Sequence, residues 1–318
     1  MPLARYWTAK VDTLNVSLSM DVTLERFLQY LRLERNLSTG TVDLYRRDLE
    51  QWAASMTAGT RQLDLASITA NDIREWLYKR SVKGDSPGTL RHKVQAIRAL
   101  YRYLMRRGEI SVNPAAMVDL AKLPKPLPKF VREKTVDAVL DGEIDMDDFT
   151  QVRDRLIVML FYETGIRLSE LIGLQDVAVN VIKRELKVRG KRDKDRIIPF
   201  GEELAFWIDH YRALRVNVRP VCDNLLVTSK GKPLYKSLVY HVVHDVLADA
   251  GGTGKLSPHV LRHTFATVML NRGAQLNSVK ELLGHESFAA TQVYTHVTLS
   301  ELQHNYELAH PRALKKGG

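Results

Sequence analysis

The sequence has one cysteine, Cys222, so it can form no intrachain disulfide and offers no thiol-rich metal site. No stretch of it approaches the apolar length that spans a membrane. The opening residues, MPLARYWTAKVDTLNV, lack the continuous apolar run of a signal peptide, and a cytosolic location is expected. Internal repeats and low-complexity tracts are absent. A nucleotide loop is missing too. Gly251-Gly-Thr-Gly-Lys255 has Asp249 where the earlier glycine should stand and Leu256 where Ser or Thr would bind magnesium, so it reads as a turn. Clustered carboxylates of the kind that hold a nuclease's metal ions are not found.

What the chain has instead is positive charge, unevenly spread. Of its formal +10, residues 1–132 carry +9 (22 Lys+Arg against 13 Asp+Glu), and the remainder carries +1 (25 against 24). Such asymmetry points to one region that meets a polyanion such as nucleic-acid backbone. Composition alone would suit a merely basic protein equally well. The 318 residues suggest two domains of ordinary size, with a hydrophobic content of 45%, enough for real cores.

Residues 21–113 read as helices. Leu24, Phe27, Leu28 and Leu31 recur at helical spacing, and Ser38 or Thr39 caps a second helix carrying Val42, Leu44, Tyr45, Leu49 and Trp52. A third helix follows over Asp72 to Arg80. Ser86-Pro87 caps a fourth, Gly88 to Arg107, stopped by Gly108 and Asn113-Pro114. That fourth helix carries Arg91, Lys93, Arg98 and Arg102, candidates for contact with a DNA backbone, although a basic run is more often a solvated face. Leu123-Pro-Lys-Pro-Leu-Pro-Lys129 must be extended and stiff, and a domain boundary is expected there. Beyond it the pattern is helical around one β-hairpin, Glu185 to Phe200, whose polar turn holds Lys191, Arg192 and Lys194. Helices are expected at Gln151 to Thr164, around 202–215, 237–250, 259–273 and 276–283, and from about Leu299. The fold class is mainly α, with two domains, the second α+β with a small antiparallel sheet.

Four segments carry possible chemistry, each weak alone. Arg167 follows a glycine break at a helix start, where a guanidinium can reach a phosphate, with Glu170 three residues on to orient it. An ordinary i,i+3 ion pair would look the same. His259 and Arg262 share a helix face after Ser257-Pro258. His259 and His263, four apart, would also suit two metal ligands, but the cation between them opposes that, and His263 is expected in the core or behind the site. Gly284 ends a helix just before His285, and Tyr294 lies nine residues further on. Together, two arginines, two histidines and a tyrosine make a kit for phosphoryl transfer without metal. The arginines neutralise the phosphate, the histidines move protons, and a phenol with an ordinary pKa of about 10 becomes a usable nucleophile beside them. The hairpin turn offers an acid for the leaving 5′-oxygen, Lys191 first.

The segments TGIRLSEL, GKRDKDRIIPFG, SPHVLRHTFAT, LLGHESFAATQVYTHV and HPRA, in this order, resemble the tyrosine recombinase (phage integrase) family, most closely its cellular Xer branch. The resemblance runs from about Thr23 to Arg312. It implies that Arg167 and Arg262 bind the scissile phosphate, Lys191 is the general acid and His259 the base. His285 is then a second phosphate-side hydrogen bonder, Tyr294 the nucleophile and Glu170 the supporting carboxylate. It implies no cofactor or metal, and a partner that is a double-stranded DNA recombination site. Expected domains are an N-terminal extension (1–20), a SAM-like helical half of a DNA clamp (21–120), a linker (121–132) and a catalytic domain (133–318). A homo- or hetero-tetramer on DNA is implied, with the last helix docking on a neighbour. Two departures stand out: Asp176-Val-Ala-Val-Asn180 lacks the tryptophan many relatives carry, and residues 1–20 are nonstandard. Readings that stay open are a type IB topoisomerase, a mobile-element integrase in place of a chromosome-dimer resolvase, and a DNA-binding regulator without chemistry.

Overall fold

The computed structural model describes residues 20–57, 63–119, 130–189, 195–284 and 299–313. The chain divides into two compact units, Met1–Pro126 and Leu127–Gly318.

The first unit is a bundle of α1 (Met20–Leu33), α2 (Thr39–Met56), α3 (Ala70–Val82) and α4 (Pro87–Arg106). Three of these helices start on side-chain caps. Ser38 accepts from the Thr41 amide, Ser86 from the Thr89 amide, and Thr69 forms a reciprocal capping box with Asp72. Each cap satisfies an amide that the helix cannot. The apolar stripes bury Phe27, Leu49, Trp52, Ile73, Ile97, Leu100 and Tyr101 in one core. α4 runs through that core, which corrects two of the expected DNA contacts. Lys93 lies on the buried side with Val94 and Ile97, and its ammonium is paired with Asp48 at 3.1 Å and Asp85 at 3.9 Å. A buried charge must be paired, and this one is committed to the unit's own acids. Arg98 donates to the carbonyls of Ala115 and Val118 at 2.8 and 2.5 Å, tying down the 3₁₀ turn Pro114–Met117. Arg91 is half-buried, whereas Arg102 is exposed.

The second unit is built around α6 (Phe149–Thr164), buried on every side from Val152 to Thr164 except at Asp154. Preceding it is α5 (Glu133–Asp141), a short helix that no side-chain cap announces in the sequence. After α7 (Leu168–Gly173) comes a three-stranded antiparallel sheet, β1 (Val179–Asn180), β2 (Glu185–Arg189) and β3 (Asp195–Pro199), in that spatial order. Pairing of Leu186 with Ile198 sets the hairpin register and turns Leu186, Val188 and Ile198 into the core. The shell is completed by α8 (Glu202–Arg215), α9 (Lys236–Asp249), α10 (Pro258–Asn271), α11 (Leu276–Leu283) and α12 (Leu299–Ala309). α8, α9 and α10 pack directly on α6.

α12 packs on α10, α11 and β3 of its own unit. Tyr306 and His310 stack with centroids 5.0 Å apart, and His310 Nε2 donates to the Tyr162 carbonyl at 3.2 Å. Just beyond, Arg312 is buried in a fork with Glu203 (2.6 and 2.9 Å) and Asp141 (2.7 Å). Among the described residues no helix is long and apolar enough to cross a membrane.

Candidate active site

The site begins where α6 stops. Gly165 adopts the left-handed conformation (φ 58°) and turns the chain so that Arg167 becomes the N-cap of α7. A Cβ at Gly165 would lie 2.5 Å from a Phe265 ring carbon and 2.9 Å from Leu283 Cδ2, so only glycine fits. Glu170, at the third position of α7, accepts from the Arg167 amide at 2.8 Å and from Arg167 Nη1 at 2.7 Å. The i,i+3 pair is thus also a helix cap.

A second guanidinium grips the same carboxylate. Arg196, on β3, donates Nη1 to Glu170 Oε1 at 2.7 Å and Nη2 to Oε2 at 2.8 Å. A third, Arg262 of α10, lies in the same cluster. The three converge on the C-terminal end of α11. Arg196 Nε donates to the Leu282 carbonyl at 2.9 Å, Arg262 Nη2 to that of Leu283 at 2.5 Å, and Arg167 Nη2 to that of Gly284. Arg262 Nη1 reaches back to the Gly165 carbonyl. Helix-terminal carbonyls have no partner within the helix and carry the negative end of its dipole, so three cations in succession are a fitting cap. Gly284 is left-handed (φ 62°), and a Cβ there would lie 3.1 Å from Arg196 Nη1 and 3.3 Å from Arg167 Nη1. The space glycine leaves is the space the two guanidiniums use.

The electrostatics follow from three cations around one carboxylate. Burial alone would raise Glu170, but the hydrogen bonds from Arg196 and from the Arg167 amide, the charge of Arg196 and the hydrogen bond from the Arg167 guanidinium carry it down to about 2. Arg262 is pulled well below its usual value, first by burial and then by Arg167 and Arg196. The cluster therefore holds two positive charges more than its own acid neutralises, and an added anion relieves that excess. Arg167 is its most open pair member, 32% exposed against 12% for Arg196 and 5% for Glu170.

His259 sits one turn before Arg262 on α10, exposed, with its ring 6.4 Å from that of Tyr240. His263 is also exposed, contrary to the expected core placement, because the buried face of α10 is carried by Val260, Leu261, Thr264, Phe265 and Val268. Among the described residues no group of three His, Cys, Asp or Glu could hold a metal ion. Lys191, Arg192, Lys194, His285 and Tyr294 lie outside the described residues. The chain brings two of them close in sequence: Lys191 belongs to the β2–β3 connection and stands five residues before Arg196, and His285 follows Gly284 directly. Arg196 is not among the site residues expected from the sequence. Its signal was strand alternation, which puts it on the face of buried Ile198, where an arginine must find a partner.

Cation clusters of this kind, on a mainly helical two-unit frame, suit the handling of a DNA phosphate. The chain belongs to the phage integrase family: the family's model matches residues 129–301, and the model of its N-terminal SAM-like domain matches residues 24–108. It is a site-specific tyrosine recombinase, a DNA strand-exchange enzyme of Xer type. Its relatives include the tyrosine recombinase XerC of Chlorobaculum parvum, 36% identical over 317 residues, covering 91% of this chain and 94% of that one. The tyrosine recombinase XerD of Pseudomonas aeruginosa is 37% identical over 294 residues, covering 91% and 97%. Two solved structures share the fold. The XerH recombinase bound to palindromic difH substrate has a TM-score of 0.68 at 21% identity, covering 90% of this chain and 83% of that one. The Tn1549 transposon integrase with transposon right end DNA has 0.65 at 19%, covering 90% and 98%.

Proposed function

We propose that the chain cuts and rejoins a double-stranded recombination site through a 3′-phosphotyrosyl bond at Tyr294. The observation that carries this reading is the convergence of Arg167 and Arg262 on successive carbonyls of the α11 terminus, with charge to spare for an anion. In this mechanism the two arginines hold the non-bridging oxygens of the scissile phosphate and stabilise the charge that builds in the transition state. His259 takes the proton of Tyr294 as its oxygen bonds to phosphorus, and His285 hydrogen-bonds the phosphate. The bond to the 5′-oxygen breaks, and its electron pair is met by a proton from Lys191. Attack by a partner strand's 5′-hydroxyl then reverses these steps. The ester conserves the bond energy, so no nucleotide cofactor is needed.

Arg102 on α4, with Arg91 and the turn residues Arg192 and Lys194, supplies contacts to the DNA backbone. The protein works in the cytoplasm as a homo- or hetero-tetramer on two sites. There α12 exchanges its seat on its own unit for one on a neighbour. The biological task is resolution of chromosome dimers, as befits an Xer-type chain; integration of a mobile element would use the same residues. Sequencing the DNA that the protein protects separates these two, since it locates the site on the chromosome or at an element's ends.

The chemistry is tested with suicide duplexes that carry such a protected site and a nick beside the cleavage position. Wild-type protein traps a covalent adduct in EDTA, Tyr294→Phe traps none, and Arg167→Ala loses at least a hundredfold in rate, while both variants still bind. Tight wild-type binding without any adduct would leave a regulator without chemistry. Relaxation of plasmids lacking the site would point to a topoisomerase.

A further inference from the structure

All three kinds of nitrogen in the Arg196 guanidinium are already engaged inside the protein. Nη1 and Nη2 face the two oxygens of Glu170, and Nε faces the Leu282 carbonyl. With its side chain 12% exposed, Arg196 is poorly placed to bind a phosphate itself. Its partners are what matter. Glu170 also holds both the amide and the guanidinium of Arg167. Leu282 stands three residues before His285, at the terminus that Arg262 and Arg167 cap. Arg196 itself stands five residues after Lys191, just beyond the hairpin turn that holds it. One planar fork thus joins β3, α7 and α11, three elements that each adjoin a residue assigned to the reaction: Lys191 before β3, Arg167 at the start of α7 and His285 after α11.

We propose that Arg196 is a positioning residue for strand cleavage, fixing Arg167 and the segment entering His285 against the same phosphate through Glu170 and the Leu282 carbonyl. This rests on the reading of Arg167 and His285 as phosphate ligands. A lysine keeps the charge but cannot span a carboxylate bidentately and reach a carbonyl at the same time. Glu170 is faced by Arg167 at the start of α7, Arg196 on β3 and Arg262 on α10. Loss of Arg196 removes the largest of the influences that hold its carboxyl low and leaves the burial that raises it, so Glu170 then titrates at higher pH.

The test uses full-length Arg196→Met, Arg196→Lys, Glu170→Gln and the Arg196→Met/Glu170→Gln pair on the nicked duplexes described above, measuring DNA affinity and single-turnover adduct formation from pH 5 to 9. The expected result is affinity within about twofold of wild type and cleavage slowed 10- to 100-fold by Arg196→Met, less by Arg196→Lys. Arg196→Met should gain an acid limb in addition to any that wild type shows, and the double variant should lose that added limb. The double variant should be no slower than the worse single, since both act on Arg167 in one chain of contacts. A duplex with sulfur at the bridging 5′ position, whose leaving thiol needs no acid, should restore Lys191→Ala and leave Arg196→Met slow. Wild-type cleavage by Arg196→Met overturns the proposal. So does a fall in affinity and melting temperature equal to the fall in rate, in the Lys variant as in the Met variant. If the Met variant fails to fold, the Lys variant decides: slowed cleavage at unchanged affinity supports the proposal, and wild-type cleavage overturns it. Arg167→Ala separates the layers. Should it cleave normally, the reading of the site itself fails; should it be inactive while the Arg196 variants cleave normally, only the role given to Arg196 falls.

Discussion

Glu170 shows how much a single carboxylate can decide. Its oxygens receive the Arg167 amide and two guanidiniums, and its side chain is almost fully shielded from water. Its pKa falls from an ordinary 4.5 to about 2 on folding, which corresponds to about 3 kcal/mol. Because the folded value is the lower one, this stability is present above pH 4.5 and drains away as pH falls towards 2. Denaturant titrations at successive pH values should show wild type losing stability across that window, and Glu170→Gln, already without the charge, losing about 3 kcal/mol less there. Equal slopes for the two proteins would show that the carboxylate is not held by the arginines. Reading of this residue from sequence was half complete. The three-residue spacing to Arg167 was visible, but Arg196, 26 residues away, was not.

Among the elements, α12 is seated on an unusual acid. Glu163 of α6 is fully buried, its Oε1 has no hydrogen-bond partner among the described residues, and Tyr306 of α12 donates to Oε2 at 3.4 Å. Burial first, and then the charge of Glu203, push its pKa up to about 8, so it is held neutral at physiological pH. A raised folded pKa works in the opposite sense to Glu170. The folded chain keeps a proton that the unfolded chain has released, so stability declines from pH 4.5 to about 8. Melting curves should therefore show Glu163→Gln with little advantage at pH 5, a growing one up to pH 8 and a constant one beyond. A flat difference would mean that Glu163 is already ionised in the fold. The helices themselves were largely legible. Ser38, Thr69 and Ser86 announced three starts through hydrogen bonds made within four residues, whereas α5, nine residues without a side-chain cap at its start, had no comparable signal.

For the whole molecule the distribution of charge sets the response to salt. Residues 1–132 hold nearly all of the excess positive charge, and DNA binding should weaken steeply as salt concentration rises, because releasing condensed counterions into a saltier solution yields less free energy. Exposed Arg102, replaced by alanine, should lower the slope of log affinity against log salt by about one without altering the melting temperature. Lys93→Met should leave the slope alone and destabilise the unit, by about 3–5 kcal/mol for a broken buried pair. Opposite results would place Lys93 on the DNA. Both residues belong to one basic run, and only spacing tells them apart: Lys93 falls in line with Ile97, Leu100 and Leu104 on the buried stripe of α4. Helix starts, the hairpin, the excess of positive charge and the Arg167–Glu170 and His259–Arg262 pairs were determined by the sequence itself, because each depends on neighbours within a turn or a strand. Which internal acids and carbonyls the buried cations meet was decided by the tertiary structure. So was the gathering of Arg167, Arg196 and Arg262 around the end of α11. Their partners stand from 21 to 117 residues away, and no local periodicity reports that one helix's unpaired carbonyls will become the meeting point of three guanidiniums.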